Sequence, residues 1–131
     1  MANYPFKAVL VDYDEDLFAP PDWVGDELAR YGIEWIVGQH RTPEAALGVA
    51  RTGDVVMQQS LRPLLNRSVI EQLERCRCIV RLGTGYDNVD LAAAAEQGIL
   101  VCNAPTFCTD DVAEAVAFLA SDAANFITGE I

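Results

Sequence analysis

Gly83-Thr84-Gly85 lies between an apolar run, Cys78–Leu82, and a stretch of helical period. Two glycines so placed let successive backbone N–H groups point outward where a helix begins, and a small anion such as a carboxylate suits that position. The segment Gly83-Thr-Gly-Tyr-Asp-Asn88 starts as the dinucleotide pattern GxGxxG, yet Asn88 stands where the third glycine belongs. That glycine permits close helix–strand packing, and no acidic residue ends the following run to hold a ribose. As a complete dinucleotide site the segment fails. An anion-binding loop and a plain glycine turn, with Asp87 or Asn88 as helix cap, both remain open.

Other chemical candidates are weaker. Asp12, Asp14, Glu15 and Asp16 follow the first apolar run like the metal-binding carboxylates of a phosphoacceptor site. That chemistry also needs an Asp after the third strand and a Lys after the fifth, where Gln58-Gln59 and Asn103-Ala104 stand. The acidic run therefore reads as a solvated loop, and it would repel a flavin phosphate. Cys76, Cys78, Cys102 and Cys108 lack the paired CxxC spacing of a zinc site and read as small buried hydrophobes. No metal site is expected. His40, with no Ser or Cys motif beside it, reads as a surface residue.

The elements that must position these residues alternate regularly. Strands are expected at Lys7–Tyr13, Ile33–Val37, Asp54–Gln58, Cys78–Leu82 and Ile99–Cys102. Between them come helices opened by Pro20-Pro21, by Thr42-Pro43 and by Asn66, the last carrying Val69, Ile70, Leu73 and Cys76. A fourth helix runs through Ala92–Ala95, and Gly32, Gly53 and Gly98 act as stops. A last helix capped by Thr109 carries Val112, Val116 and Leu119 on one stripe. Five short apolar strands alternating with helices predict a doubly wound, flavodoxin-like α/β fold. Its sheet is parallel, five-stranded and ordered 2-1-3-4-5.

The chain has 131 residues, 51% of them apolar, enough for a core and right for one domain spanning 1–131. Residues 1–108 would form its core and 109–131 its C-terminal helix and tail. Nine Lys plus Arg against twenty Asp plus Glu give a net charge of −11. Nucleic acid and anionic membrane surfaces are thereby disfavoured as partners. No window of about 18 apolar residues suggests a membrane span, and the few cysteines suit a reducing cytoplasmic compartment.

Ile79-Val-Arg-Leu-Gly-Thr-Gly-Tyr-Asp-Asn-Val-Asp-Leu91, then Ala92–Ile99 and Val101-Cys-Asn-Ala-Pro105, resembles the substrate-binding domain of the NAD-dependent D-2-hydroxyacid dehydrogenases, phosphoglycerate dehydrogenase-like members above all. Thr109–Glu114 continues the likeness, which covers roughly residues 5–117. The resemblance implies a substrate carboxylate bound by backbone N–H groups at Thr84 and Gly85, with Thr84 also approaching the cofactor. It implies Asn103 lining the cleft and supporting this loop. It places Arg62 near a substrate-contacting arginine, although Ser60-Leu-Arg-Pro63 departs from the usual pattern and a surface arginine is the alternative.

Family members carry a further intact GxGxxG and catalytic Arg, Glu and His residues that these 131 residues lack. The resemblance therefore implies a substrate-binding domain with no cofactor of its own, inactive alone and binding a small carboxylate weakly. Asp111–Glu130 is also similar to the C-terminal helix of short-chain dehydrogenases/reductases, which suggests a chimera or fragment joined around residues 109–117. Two other readings stand beside this one: a ligand-free engineered scaffold, and an enzyme completed by a separate nucleotide-binding partner. The Val112–Leu119 stripe is expected to bury itself on its own sheet or against a second copy of the chain, giving a homodimer.

Overall fold

The computed structural model describes residues 5–13 and 23–106, together with Ala113, Val116 and Ala117. The expected positions Asp14–Asp16, Pro20-Pro21, Cys108, Thr109, Val112 and Leu119 lie outside these. The strands are β1 (Phe6–Leu10), β2 (Ile33–Val37), β3 (Val55–Gln58), β4 (Cys78–Arg81) and β5 (Leu100–Cys102). All pair in parallel, in the expected order β2-β1-β3-β4-β5. The helices are α1 (Trp23–Arg30), α2 (Pro43–Ala50), α3 (Arg67–Ile70) and α4 (Leu91–Glu96).

The register divides the sheet into two faces. Val9, Val56, Ile79 and Val101 are cross-strand neighbours on one face, and α2, α3 and α4 supply Ala46, Ala50, Val69, Ile70, Ala93 and Ala94 to the same core. The opposite face carries Ala8, Val55, Cys78 and Leu100 in one row and Leu10, Met57, Val80 and Cys102 in the next. Chain direction across the sheet reverses after β2. Right-handed crossovers therefore put α1 on the opposite face from the other helices. There α1 rests on β2, with Gly25 against the Trp35 ring.

Local signals explain most ends. Thr42 Oγ1 accepts from Ala45 N at 3.3 Å and Pro43 opens α2; Asn66 Oδ1 accepts from Val69 N at 3.1 Å to start α3. Gly32 and Gly98 take φ of 71° and 68° after α1 and α4, the left-handed conformation that glycine adopts without a Cβ penalty. Two expectations need correction. The cap of α4 is Asp90, whose Oδ1 accepts from Ala93 N at 2.8 Å, rather than Asp87 or Asn88. The chain first pairs Val89 with Leu65, which holds residues 87–88 in a turn ahead of the helix. The helix after Asn66 ends at Ile70 instead of reaching Cys76, because the Glu74 N–H bonds the Arg51 carbonyl at 2.9 Å and draws the chain aside.

Polar ties fasten the elements. Asp54, buried at the head of β3, accepts from the Lys7 backbone N–H at 2.9 Å and from Arg75 Nη2 at 3.0 and 3.1 Å. Arg67 of α3 reaches Glu71 and, on α4, Glu96 at 2.6 Å, and this guanidinium holds the Glu96 carboxyl below its usual range. Val116 is 59% exposed, so that member of the expected stripe is not buried on the sheet. The cysteines are less buried than expected. Cys102 is exposed, and its Sγ lies 3.9 Å from that of half-buried Cys78 across β4 and β5.

Two measurements check this packing. Ile79 is fully buried, so Ile79→Ala is expected to cost about 2–5 kcal/mol in denaturant unfolding, while Tyr31→Ala, at an exposed turn, changes stability by less than about 0.5 kcal/mol. Burial pushes the Cys76 thiol up to about 11. Iodoacetamide at mildly alkaline pH should modify exposed Cys102 before Cys76, because the thiolate is the nucleophile and burial disfavours it at Cys76. The lag should shrink as pH rises toward 11, read by mass spectrometry.

Candidate functional site

The carboxyl ends of parallel strands are where such a sheet presents loops free for function. At the end of β4 the chain runs through Leu82, Gly83, Thr84 and Gly85; at the end of β3 it runs through Gln59, Ser60, Leu61 and Arg62. The backbone N–H groups of Thr84 and Gly85 donate to no protein acceptor among the described residues. Thr84 is exposed and Gly85 half-buried. Asn103, just past β5, donates from Nδ2 to the Thr84 carbonyl at 2.8 Å, and Ala104 N bonds the Gly83 carbonyl at 2.9 Å. The loop is thus anchored through its carbonyls while its N–H groups stay free.

Neither loop glycine has positive φ. Gly83 packs closely on Arg81: a Cβ there would lie 3.0 Å from Arg81 Nη1 and would crowd the guanidinium. Arg81 is 4% exposed, and its only bond to the described residues is a long one, Nη1 to the Gln58 carbonyl at 3.4 Å. Its Nε is buried without a partner. A cation buried under a loop of free N–H groups, with no carboxylate paired to it, suits a small anion. Arg81 shares the inward face of β4 with Ile79, and with Arg62 it is one of two arginines that the sequence offers for orienting a carboxylate.

Arg62 is exposed, and its guanidinium makes no ion pair or hydrogen bond among the described residues. No bond joins it to Thr84, Gly85 or Asn103. The two loops are nevertheless linked, since Asn88 Nδ2 donates to the Ser60 carbonyl at 2.8 Å and Leu82 N to the Gln58 carbonyl at 2.9 Å. Lys7, Arg30, Arg51, Arg67 and Arg75 all have carboxylate partners. Arg41, Arg62, Arg77 and Arg81 have none among the described residues; Arg41 and Arg62 follow β2 and β3, and Arg81 is the last residue of β4. Arg41 went unnoticed in the sequence because nothing local marks it.

Beside the β4 loop, Tyr86, Leu91, Val101, Cys102 and Asn103 line a shallow cavity of about 200 Å³. His40 lies away from it, after β2. It is half-buried rather than a surface residue, because its ring lies against Gly38, where a Cβ would approach it to 2.6 Å. Asp12 also departs from the expected solvated loop: it is fully buried and accepts the N–H groups of Gln59 and Ser60. Among the described residues no three His, Cys, Asp or Glu side chains gather as metal ligands, and no helix is long and apolar enough to cross a membrane. The residues present do not make a dinucleotide site either. Asn88 is tied to Ser60 where a third glycine would pack, and α4 begins only at Leu91.

Comparison with known proteins places this geometry. The chain is 41% identical over 73 residues to D-3-phosphoglycerate dehydrogenase of Methanocaldococcus jannaschii, covering 56% of this chain and 14% of that protein. It is 49% identical over 63 residues to the chloroplastic D-3-phosphoglycerate dehydrogenase 2 of Arabidopsis thaliana, covering 47% of this chain and 10% of that protein. It therefore spans only a small part of these relatives. The fold is also that of NAD+-bound 3-phosphoglycerate dehydrogenase of Entamoeba histolytica, with a TM-score of 0.70, 24% identity, and coverage of 95% of this chain and 42% of that one. Residues 26–130, which include most of the tail, match the D-isomer specific 2-hydroxyacid dehydrogenase catalytic domain, and the chain belongs to that family.

Proposed function

We propose that these residues form the substrate-binding part of a D-2-hydroxyacid dehydrogenase and hold the carboxylate of a small 2-hydroxy or 2-oxo acid. The observation that carries this reading is the set of free N–H groups at Thr84 and Gly85 in the same loop as Gly83, which packs on a buried Arg81 that has no carboxylate partner among the described residues. Arg62 supplies a second cation from the neighbouring loop, and Asn103 fixes the Thr84 carbonyl so that the N–H groups stay aimed outward. The phosphoglycerate dehydrogenases among its relatives favour a hydroxy acid of that kind as the natural ligand. When NAD is bound to the whole enzyme, it supplies the hydride; Thr84 is the residue of this chain that would approach it. The compartment proposed is the cytoplasm.

Turnover by these 131 residues alone is not expected. Hydride transfer needs a held nicotinamide and a proton donor beside the carbonyl. The Gly83–Asn88 loop does not fit a dinucleotide, and His40 lies after β2, away from the Thr84 loop. A separate origin for residues 109–131 would show as a break in the coding sequence near residues 109–117; the family match running through residue 130 weighs against it. A second copy of the chain is the partner proposed for the exposed helix face at Val116. Sedimentation that is unchanged by dilution and by Val116→Asp would refute that dimer.

Titration with oxalate, followed by amide NMR, tests the main reading. Shifts are expected at Thr84 and Gly85, with affinity reduced roughly tenfold or more by Arg62→Ala, as for loss of a charge-assisted hydrogen bond. A ligand-free scaffold would show no saturable shift at either amide, and that result would sink the reading. The purified chain should give a flat baseline for NADH oxidation with glyoxylate, pyruvate or hydroxypyruvate. A rate abolished by replacing Gly85 with a bulky residue would show that the chain is an enzyme by itself.

A further inference from the structure

Asp12 has no part in the carboxylate site as assigned above, yet it is tied to it. Its side chain, fully buried just beyond β1, crosses to the loop after β3. Oδ1 accepts from the Gln59 N–H at 2.7 Å and Oδ2 from the Ser60 N–H at 2.9 Å. Ser60 is held at its other polar atoms too. Its carbonyl accepts from Gln58 Nε2 at 3.2 Å and from Asn88 Nδ2 at 2.8 Å, and its Oγ accepts from the Arg62 N–H at 3.2 Å. Gln58 Nε2 also donates to the Arg62 carbonyl. The segment from Gln59 to Arg62 therefore hangs on one buried carboxylate below and a ring of side-chain amides around it. The Arg62 guanidinium at its end is without a partner among the described residues.

We propose that Asp12 is a positioning residue for carboxylate binding. By pinning the backbone at Gln59 and Ser60 it presents Arg62 already ordered, so an incoming carboxylate does not have to immobilise the loop first. The inference rests on the reading of Arg62 as a carboxylate-binding residue. A neutral amide at position 12 keeps the shape but offers one acceptor oxygen, and it sets an NH2 donor against one of the two backbone N–H groups. The loop then loses half of its anchor.

A double-mutant cycle on the full chain separates positioning from simple stabilisation. Oxalate affinity is measured by titration for the unmodified chain, Arg62→Ala, Asp12→Asn and the double variant, with a thermal melt of each. Asp12→Asn is expected to weaken oxalate about as much as Arg62→Ala does, roughly tenfold or more, and to have no further effect once Arg62 is gone. Its lowering of the melting temperature should be the same in both backgrounds. The proposal fails if Asp12→Asn binds oxalate normally, or if its loss persists undiminished without Arg62. If Arg62→Ala itself leaves oxalate affinity unchanged, the reading of Arg62 fails first and takes this inference with it. Should Asp12→Asn not fold, Asp12→Glu serves in its place, since it keeps the charge and both acceptor oxygens but displaces them from the Gln59 and Ser60 N–H groups. A smaller loss that vanishes in the Arg62→Ala background supports the proposal, and one that does not vanish overturns it.

Discussion

The Asp12 carboxylate bridges the point where strand order reverses. In a sheet ordered 2-1-3-4-5 the crevice for a ligand is expected between β1 and β3, because the loops there leave in opposite directions. Here that crevice is closed from within, as Asp12 accepts the N–H groups of Gln59 and Ser60 across it. Burying an ionised carboxylate is costly unless its oxygens are satisfied, and hydrogen bonds to a charged group return about 1.5–3 kcal/mol each. Two such bonds fix the β3 loop, and Asn88 then ties that loop to the turn after β4. Free donors are displaced one strand along, to Thr84 and Gly85.

Charge decides what those donors can hold. With a net charge of −11, the molecule as a whole repels an anionic substrate. Screening limits that repulsion, since the Debye length is about 8 Å at physiological ionic strength. Within such a distance local groups outweigh distant ones. Glu34, Glu74, Glu96 and Asp54 lie at the other end of the strands or on helix surfaces, paired with Lys7, Arg51, Arg67 and Arg75. Arg41, Arg62 and Arg81 are left unneutralised on the carboxyl-end side. Asp12 and Asp87 share that side, the first committed to the Gln59 and Ser60 N–H groups and the second beside Gly85, so a small carboxylate would be held by particular donors and cations rather than by a broadly positive surface.

The fold was legible because its signals are local. Near-continuous apolar strands, the Thr42-Pro43 and Asn66 starts, and the Gly32 and Gly98 stops each act within a few residues, and right-handed crossovers then leave few strand orders to choose from. What the sequence hid depends on partners distant along the chain. Asp90 rather than Asp87 caps α4 because Asp90 N bonds the Leu65 carbonyl at 3.1 Å, setting the chain's entry to the helix. The early end of α3 answers to Arg51, over twenty residues away. Asp12 looked like one more acid in a solvated run, and only the arrival of the β3 loop buries it. Among the site residues, the resemblance marked Thr84, Gly85 and Asn103 through a continuous motif, whereas Arg62 sits in a segment where that motif breaks down.

Arg81 shows how one pattern can have two physical causes. Alternation along β4 puts it on the same face as Ile79, which is fully buried, so its inward direction was readable from period two alone. Its charge argued the other way, since an isolated buried guanidinium is rarely tolerated. The conflict is resolved by the next residue but one. Gly83 has no side chain, and the guanidinium fills the space a Cβ would need, 3.0 Å away. A Cβ on Gly85 would likewise come within 3.1 Å of Asp87 Oδ1. A Cβ at either position would thus crowd a side chain of the same loop or strand, which gives the two glycines that start like a dinucleotide fingerprint a packing role independent of any pyrophosphate. With that packing role in place of a phosphate-binding one, the third position of the pattern can hold an asparagine tied to Ser60, and the loop runs on to Asp90 before α4 begins at Leu91.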